Sequence, residues 1–391
     1  MMKFLKSPQF LLGLTLLAAT SCENETTEPN LRSEIGYGEL NATEAYSTQF
    51  LDQSGNSTVD LTEGTISLSM FQSMDNYIKS SVSTNSRIDQ SLLSNLFNNT
   101  GSSFTQIEVK GGLFNASDLV NSEVSISERV APSRSQAEIL ATQAYFESLF
   151  EEIDANSLSI NEEASINQAG KLGSYLLNDK GIEVAQVIQK SLLGAFQLDF
   201  IGNVLLNAGL NADNSTLVSD KNYTQLEHNW DLAYGTLTLN PIYLEGFSDT
   251  EKGPVSEFGA GAYIWEYNKS GYAKIYPAFL KGRAAIVNND LAEMENQALI
   301  IRQEFEKSIA NAALGYLGKW RSSTTEEKRA HAIGEALGFI YSLRFASTYQ
   351  ADANFSDSVI AALINSENGF WDIDAAKINA AEAAIKSKFN L

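Results

Sequence analysis

Only six prolines interrupt 391 residues, and apolar side chains recur at three- and four-residue spacing through most of the chain after residue 60. Proline breaks helix interiors, so its scarcity beside that period confines the chain to long amphipathic helices. Stretches rich in Ala, Leu, Glu, Gln and Lys add helix propensity. The expected fold is all-α, one large helical bundle domain over residues 55–389 with pseudo-repeated halves, 55–210 and 211–389. A short extended piece is expected at 58–61, ahead of the first helix. Ile66, Met70, Phe71, Met74, Tyr77 and Ile78 set the period of that helix. Further helices are expected over roughly 89–97, 132–153, 162–177, 180–206, 221–235, 272–289, 291–319, 356–365 and 373–388. Another, carrying His331, opens on a capping-type segment at 323–327 and continues through Phe345. Residues 98–130 have no firm period and read as a long loop that either packs in part on the bundle or is mobile. Residues 240–256, with Pro241, Gly246, Gly253 and Pro254, read as a loop. The aromatic, glycine-rich stretch 259–267 reads as a packing or pocket-lining segment. The stretch 180–206 is nearly apolar all round, yet Gln186, Gln189, Lys190, Gln197, Asp199 and Asn203 interrupt it, which favours a bundle core over a membrane span.

The N-terminus reads as an address rather than as fold. Lys3 and Lys6 precede an apolar run over 10–19, too short to span a bilayer, which ends in Leu17-Ala18-Ala19-Thr20-Ser21-Cys22. Small residues before the chain's single cysteine look like a bacterial lipobox. The expectation is a lipoprotein signal peptide over 1–21, cleavage before Cys22, acylation of its thiol, and an acidic, polar tether over 22–54. Losing Lys3 and Lys6 takes the net charge from −21 to −21 − 2 = −23. So acidic a chain lacks the basic footprint that nucleic acid requires. The expected partner is the lipid membrane, through acylated Cys22.

Histidine is equally scarce: there are two. His228 lies in Tyr223-Thr224-Gln225-Leu226-Glu227-His228-Asn229-Trp230-Asp231-Leu232-Ala233-Tyr234-Gly235, and His331 heads His331-Ala332-Ile333-Gly334-Glu335-Ala336-Leu337-Gly338. Aligned on the histidines, Ala233 matches Ala336 and Gly235 matches Gly338, one polar helix per half. On helices, carboxylates three or four residues away share the histidine's face. The candidate ligand-binding residues are therefore Glu227, His228, Trp230, Asp231, His331 and Glu335, with His228 and Asp231 as the candidate metal pair. Imidazole and carboxylates on facing helices of a bundle suit hard cations or iron, so iron is the cofactor considered. The alternative is that each histidine is an interior residue hydrogen-bonded to a neighbouring acid. A hydrolytic zinc helix needs two histidines one turn apart, and no such pair exists here. No nucleophile elbow, Walker loop or dinucleotide fingerprint is present, and no catalytic residue is assigned.

Four segments together resemble a family of Bacteroidetes lipoproteins known as a domain of unknown function. They are Gly181-Ile182-Glu183 with Gln189-Lys190-Ser191-Leu192-Leu193-Gly194-Ala195; Glu227 to Gly235; Gly282-Arg283-Ala284-Ala285-Ile286-Val287-Asn288-Asn289-Asp290; and His331 to Ile340. The acidic run Glu23-Asn24-Glu25-Thr26-Thr27-Glu28 likewise resembles surface-export signals of lipoproteins in that phylum. That family in turn is similar to the imelysins, iron-regulated envelope proteins of two helical bundles with a Gly-x-His-x-x-Glu motif. Here His228-Asn229-Trp230-Asp231 has Asp for Glu, and Leu226 stands where the glycine belongs.

The resemblance implies an outer-membrane lipoprotein, on the periplasmic face or cell surface, that binds a ligand or iron and serves iron uptake without being an enzyme. The alternative is a surface glycan- or peptide-binding helper of an outer-membrane transport system, using Trp265 and nearby tyrosines. A metallopeptidase-like hydrolase is the remaining reading.

Overall fold

The computed structural model describes residues 31–237, 258–267 and 269–391. Among these are twelve α-helices. They are α1 (Thr62–Ser83), α2 (Gln90–Asn98), α3 (Ala116–Val120), α4 (Gln136–Ser157), α5 (Val184–Leu192), α6 (Gln225–Leu237), α7 (Ala260–Tyr267), α8 (Lys269–Val287), α9 (Leu291–Ser322), α10 (Glu326–Ser342), α11 (Ala353–Ile364) and α12 (Ala375–Phe389). One antiparallel hairpin, β1 (Gly170–Leu172) with β2 (Tyr175–Leu177), is the only sheet among the described residues. The fold is all-α, as the proline scarcity and apolar period imply. Cys22 and the expected loop 240–256 lie outside the described residues.

Helix starts follow the local chemistry. Ser135 and Glu138 form a reciprocal capping box at α4, Asp290 caps α9, and Thr325 caps α10 by accepting from Lys328 N. α9 and α10 pack against each other; α8 lies along α9 and α5 along α10, while α1 crosses α6. The first half of the chain thus packs directly on the second, and one continuous apolar cluster runs through both. Two close approaches need glycine. A Cβ on Gly64 of α1 would lie 2.6 Å from Thr236 N and 2.7 Å from Gly235 C of α6. One on Gly338 of α10 would lie 2.5 Å from Lys190 Cβ and 2.9 Å from Val187 O of α5.

Two segments differ from expectation. The predicted helix over 162–177 is instead a turn-rich approach to the β1–β2 hairpin, in which Leu172 pairs with Tyr175 across Gly173-Ser174. Gly173 takes φ +62°, a turn geometry that outweighs the apolar spacing around it. The predicted helix over 180–206 starts as α5 but continues as a 13-residue π-helix, Leu193–Leu205. The segment Val184–Asn211 is long and apolar enough to cross a membrane, but 72% of its most apolar window is buried, so it serves as a core helix. Residues 98–130 pack on the bundle in part, with Phe104, Leu119, Ile126 and Val130 fully buried.

Candidate functional site

The predicted residues of α6 separate onto different faces. Thr224 and Glu227 open the helix as a capping pair: Glu227 N donates to Thr224 Oγ1 (3.1 Å) and Thr224 N to Glu227 Oε2 (2.8 Å). The Glu227 carboxylate also accepts from Arg32 Nε (2.8 Å) and from an Arg283 guanidinium nitrogen (2.8 Å). One turn on, Asp231 Oδ1 accepts from Tyr46 Oη (2.7 Å) and Arg283 Nε (3.0 Å). Arg283 and Asp231 are both 0% exposed. Trp230 is fully buried and donates from Nε1 to Phe279 O (3.0 Å). Burial pushes the Asp231 carboxyl up to about 6 against the pull of Arg283. For Glu227, burial is outweighed by Arg283 and Arg32, which hold the carboxyl below its ordinary range. The arrangement is a buried ionic tie between α6, α8 and the residues around Arg32 and Tyr46, which lie within the expected 22–54 tether yet pack into the bundle. Its charged groups pair with one another through Asp231 Oδ1 and both oxygens of Glu227, while Asp231 Oδ2 is buried without a hydrogen-bond partner.

His228 faces elsewhere. Its ring stacks on Tyr223 (centroids 4.8 Å, 10° between planes), and Nε2 lies 3.8 Å from Glu63 Oε2 in the first turn of α1. Nδ1 is buried without a hydrogen-bond partner. Glu63 also meets Arg129, whose guanidinium bonds Ser67 and lies over the Phe200 ring.

His331 and Glu335 stand at the wall of a cavity of about 680 Å³. It is lined from α1 (Lys79, Val82), the hairpin (Lys171, Tyr175), α5 (Gln186, Gln189, Lys190), and α7 (Ala262, Tyr263) with Gly259 just before it. His331 Nδ1 is 2.6 Å from Glu183 Oε2 and Nε2 is 3.4 Å from Glu335 Oε2. Its ring stacks on Tyr175 (4.2 Å, 12°). Glu335 also pairs with Lys190 Nζ (3.2 Å), which lies over the Tyr263 ring. Burial pulls the His331 imidazole down, but the Glu183 hydrogen bond and charge, with Glu335 behind them, hold it above the ordinary histidine value. Burial pushes the Glu183 carboxyl up, more than His331 pulls it down. Both shifts keep a proton within the pair.

The two histidines do not meet. His228 touches α1 at Glu63, whereas the His331 cavity touches it at Lys79; sixteen residues at 1.5 Å each separate these points by about 24 Å along the helix. Neither histidine fits a metal centre. Glu183 and Glu335 occupy opposite nitrogens of one imidazole and so do not converge on a point, and Asp231 is enclosed by Arg283 and Tyr46. Among the described residues, no three His, Cys, Asp or Glu side chains are placed to hold a metal ion.

The cavity brings the predicted His331 and Glu335 together with Lys79, Lys171, Tyr175, Glu183 and Lys190, none of which the sequence singled out as a candidate and which α1, the two strands and α5 with its N-cap supply. Of the aromatic stretch 259–267, Tyr263 lines the cavity while Trp265 is buried in the core. A second cavity of about 530 Å³ lies between α4, α5, α10 and α11 and holds none of the predicted residues. Its wall is mostly apolar, and its arginines already pair, Arg344 with Asp357 (2.6 Å) and Arg134 with Asp199 (3.4 Å).

Fold and site together define a helical protein with a polar, aromatic-lined cavity at the meeting of its two chain halves. The chain belongs to the family described as a domain of unknown function (DUF4856), which matches residues 46–391. No curated protein and no solved structure matches it.

Proposed function

We propose that the protein is a non-enzymatic binding protein of the bacterial envelope, anchored by lipid on Cys22, that captures a small hydroxylated ligand of the glycan type in the His331 cavity. It then serves as a helper to an outer-membrane transport system. The observation that carries the reading is the cavity itself: a stacked Tyr175–His331 platform beside Gln186, Gln189 and Lys190. Aromatic faces with a few placed polar groups are what a sugar-sized ligand needs. Both ring nitrogens of His331 are engaged by carboxylates, which leaves neither to exchange a proton with a substrate and favours binding over catalysis. Iron uptake, the role an imelysin-like relationship would carry, enters only with iron inside a larger ligand, since the carboxylates present do not converge.

Thermal-shift and calorimetric titration of a soluble form, residues 23–391, against monosaccharides, oligosaccharides, short peptides and ferric salts tests the proposal. The expected result is binding of at least one saccharide that Tyr175→Ala weakens by about tenfold, the scale of one lost stacking contact. Saccharide binding unaffected by Tyr175→Ala, or binding of bare iron alone, would contradict it.

A further inference from the structure

The lysines around His331 set the charge of the ligand. The cavity gathers Lys79 from α1, Lys171 from β1 and Lys190 from α5 within a chain whose net charge is −21. With His331 protonated, four cations line it against two carboxylates, Glu183 and Glu335. Two more acids stand behind the lining. Asp75 pairs with Lys79 (2.8 Å), and Glu327 accepts from Ser174 N (3.2 Å) on the outer side of the hairpin turn. Glu335 divides its charge between Lys190 and His331.

Lys171 differs from the other two lysines. Its ammonium donates to Val82 O (3.0 Å) and Asn85 Oδ1 (2.6 Å), both neutral acceptors. An ammonium held at a cavity wall by neutral groups keeps its full charge available to an incoming anion. A second observation points to a ligand independently. Gln186, 5% exposed and lining the same cavity, has its side-chain oxygen buried without a hydrogen-bond partner. A buried unpaired acceptor costs stability unless a donor arrives, and a ligand hydroxyl is such a donor.

From the lysines, the unpartnered glutamine and the Tyr175–His331 ring pair, we infer that the ligand is an acidic sugar. Its carboxylate lies toward Lys171 and Lys79, a hydroxyl donates to Gln186, and its ring lies against Tyr175. The inference rests on the glycan reading above and narrows it to the uronic acid class.

Matched probes test it: glucuronic acid against glucose, a disaccharide containing a uronate against its neutral counterpart, and inorganic phosphate as a bare anion. All are titrated into residues 23–391 and into Lys171→Gln, Lys79→Gln and Tyr175→Ala. The expected result is a preference for the acidic sugar of at least about tenfold, one charge-assisted hydrogen bond. Lys171→Gln should reduce that preference toward one by weakening the acidic sugar more than the neutral one, and added salt should weaken the acid preferentially. Lys171 is half-buried near the hairpin turn, so Lys171→Gln is expected to fold, with the wild-type circular dichroism spectrum as the check. Equal binding of the acidic and neutral members, lost in Tyr175→Ala, would overturn the anionic class and leave the glycan reading standing. Phosphate binding as tight as the uronate would overturn the sugar. Failure of every saccharide would overturn both.

Discussion

Each histidine stacks on a tyrosine, Tyr223 for His228 and Tyr175 for His331, and meets a glutamate at the start of another helix, Glu63 of α1 and Glu183 ahead of α5. Helix N-termini favour a carboxylate, so the charge of each glutamate suits its place at a helix start. The stabilising interaction of His331 has a definite pH window. Its folded-state value is raised above the ordinary 6.5, so its contribution is full below about pH 6.5 and is lost as pH rises through the raised folded value. The stability difference between wild type and His331→Gln should therefore shrink on going from acid to alkaline solution. With only two histidines in the chain, an NMR titration compared with the variant reads His331 directly. A midpoint at or below 6.5 would contradict the Glu183 pairing. In the buried ionic core, Arg283→Met leaves Asp231 without its cation and Glu227 with Arg32 alone. The expected cost is about 3–5 kcal/mol in denaturant unfolding, the scale for breaking a buried pair. A loss below about 1 kcal/mol would show that the pair is not held as described.

Helix crossings explain why the two histidine segments look alike in sequence. Gly338, seven residues after its histidine, lies where α5 passes too close for a side chain, and Gly235, seven residues after the other, packs tightly on Leu61 just ahead of α1, where a Cβ would lie 3.0 Å from the Leu61 carbonyl oxygen. Gly338→Ala makes the balance measurable. Alanine gains about 1 kcal/mol of helix propensity, against about 1–3 kcal/mol for forcing α10 from Lys190 and Val187. The expected net change is a lower melting temperature, and a higher one would contradict the close approach. Periodicity made most helices legible, because a long amphipathic stripe reads the same in sequence and in space. It failed at 162–177, where Gly173-Ser174 between Leu172 and Tyr175 was itself a hairpin signal that the apolar spacing masked. The candidate site was half legible. His331 and Glu335 share one helix face, so their spacing revealed them. Glu183, Lys190, Lys171 and Tyr175 come from other elements, and no local pattern states which helix start will face which histidine. Glu227, Trp230 and Asp231 carried the same polar signature as a binding motif, but their partners Arg32, Arg283 and Tyr46 are distant in sequence and turn them into interior ties.

Across the whole molecule, the ionic core ties the first described residues to the bundle: Arg32 grips Glu227, which Arg283 of α8 also holds. The apolar segment Val184–Asn211 is used up in the core, so membrane attachment in the proposed lipoprotein falls to Cys22. In cells, Cys22→Ala should move the protein from the membrane to the soluble fraction, as read by detergent phase partitioning. Continued membrane association would contradict the lipid anchor. A crystal structure of residues 23–391 grown with glucuronic acid would show whether the cavity beside His331 is where the protein binds. The expected density is a sugar lying against the Tyr175–His331 rings with its carboxylate toward Lys171. A sugar seated instead in the apolar cavity between α4 and α11, or an empty His331 cavity at saturating sugar, would contradict it.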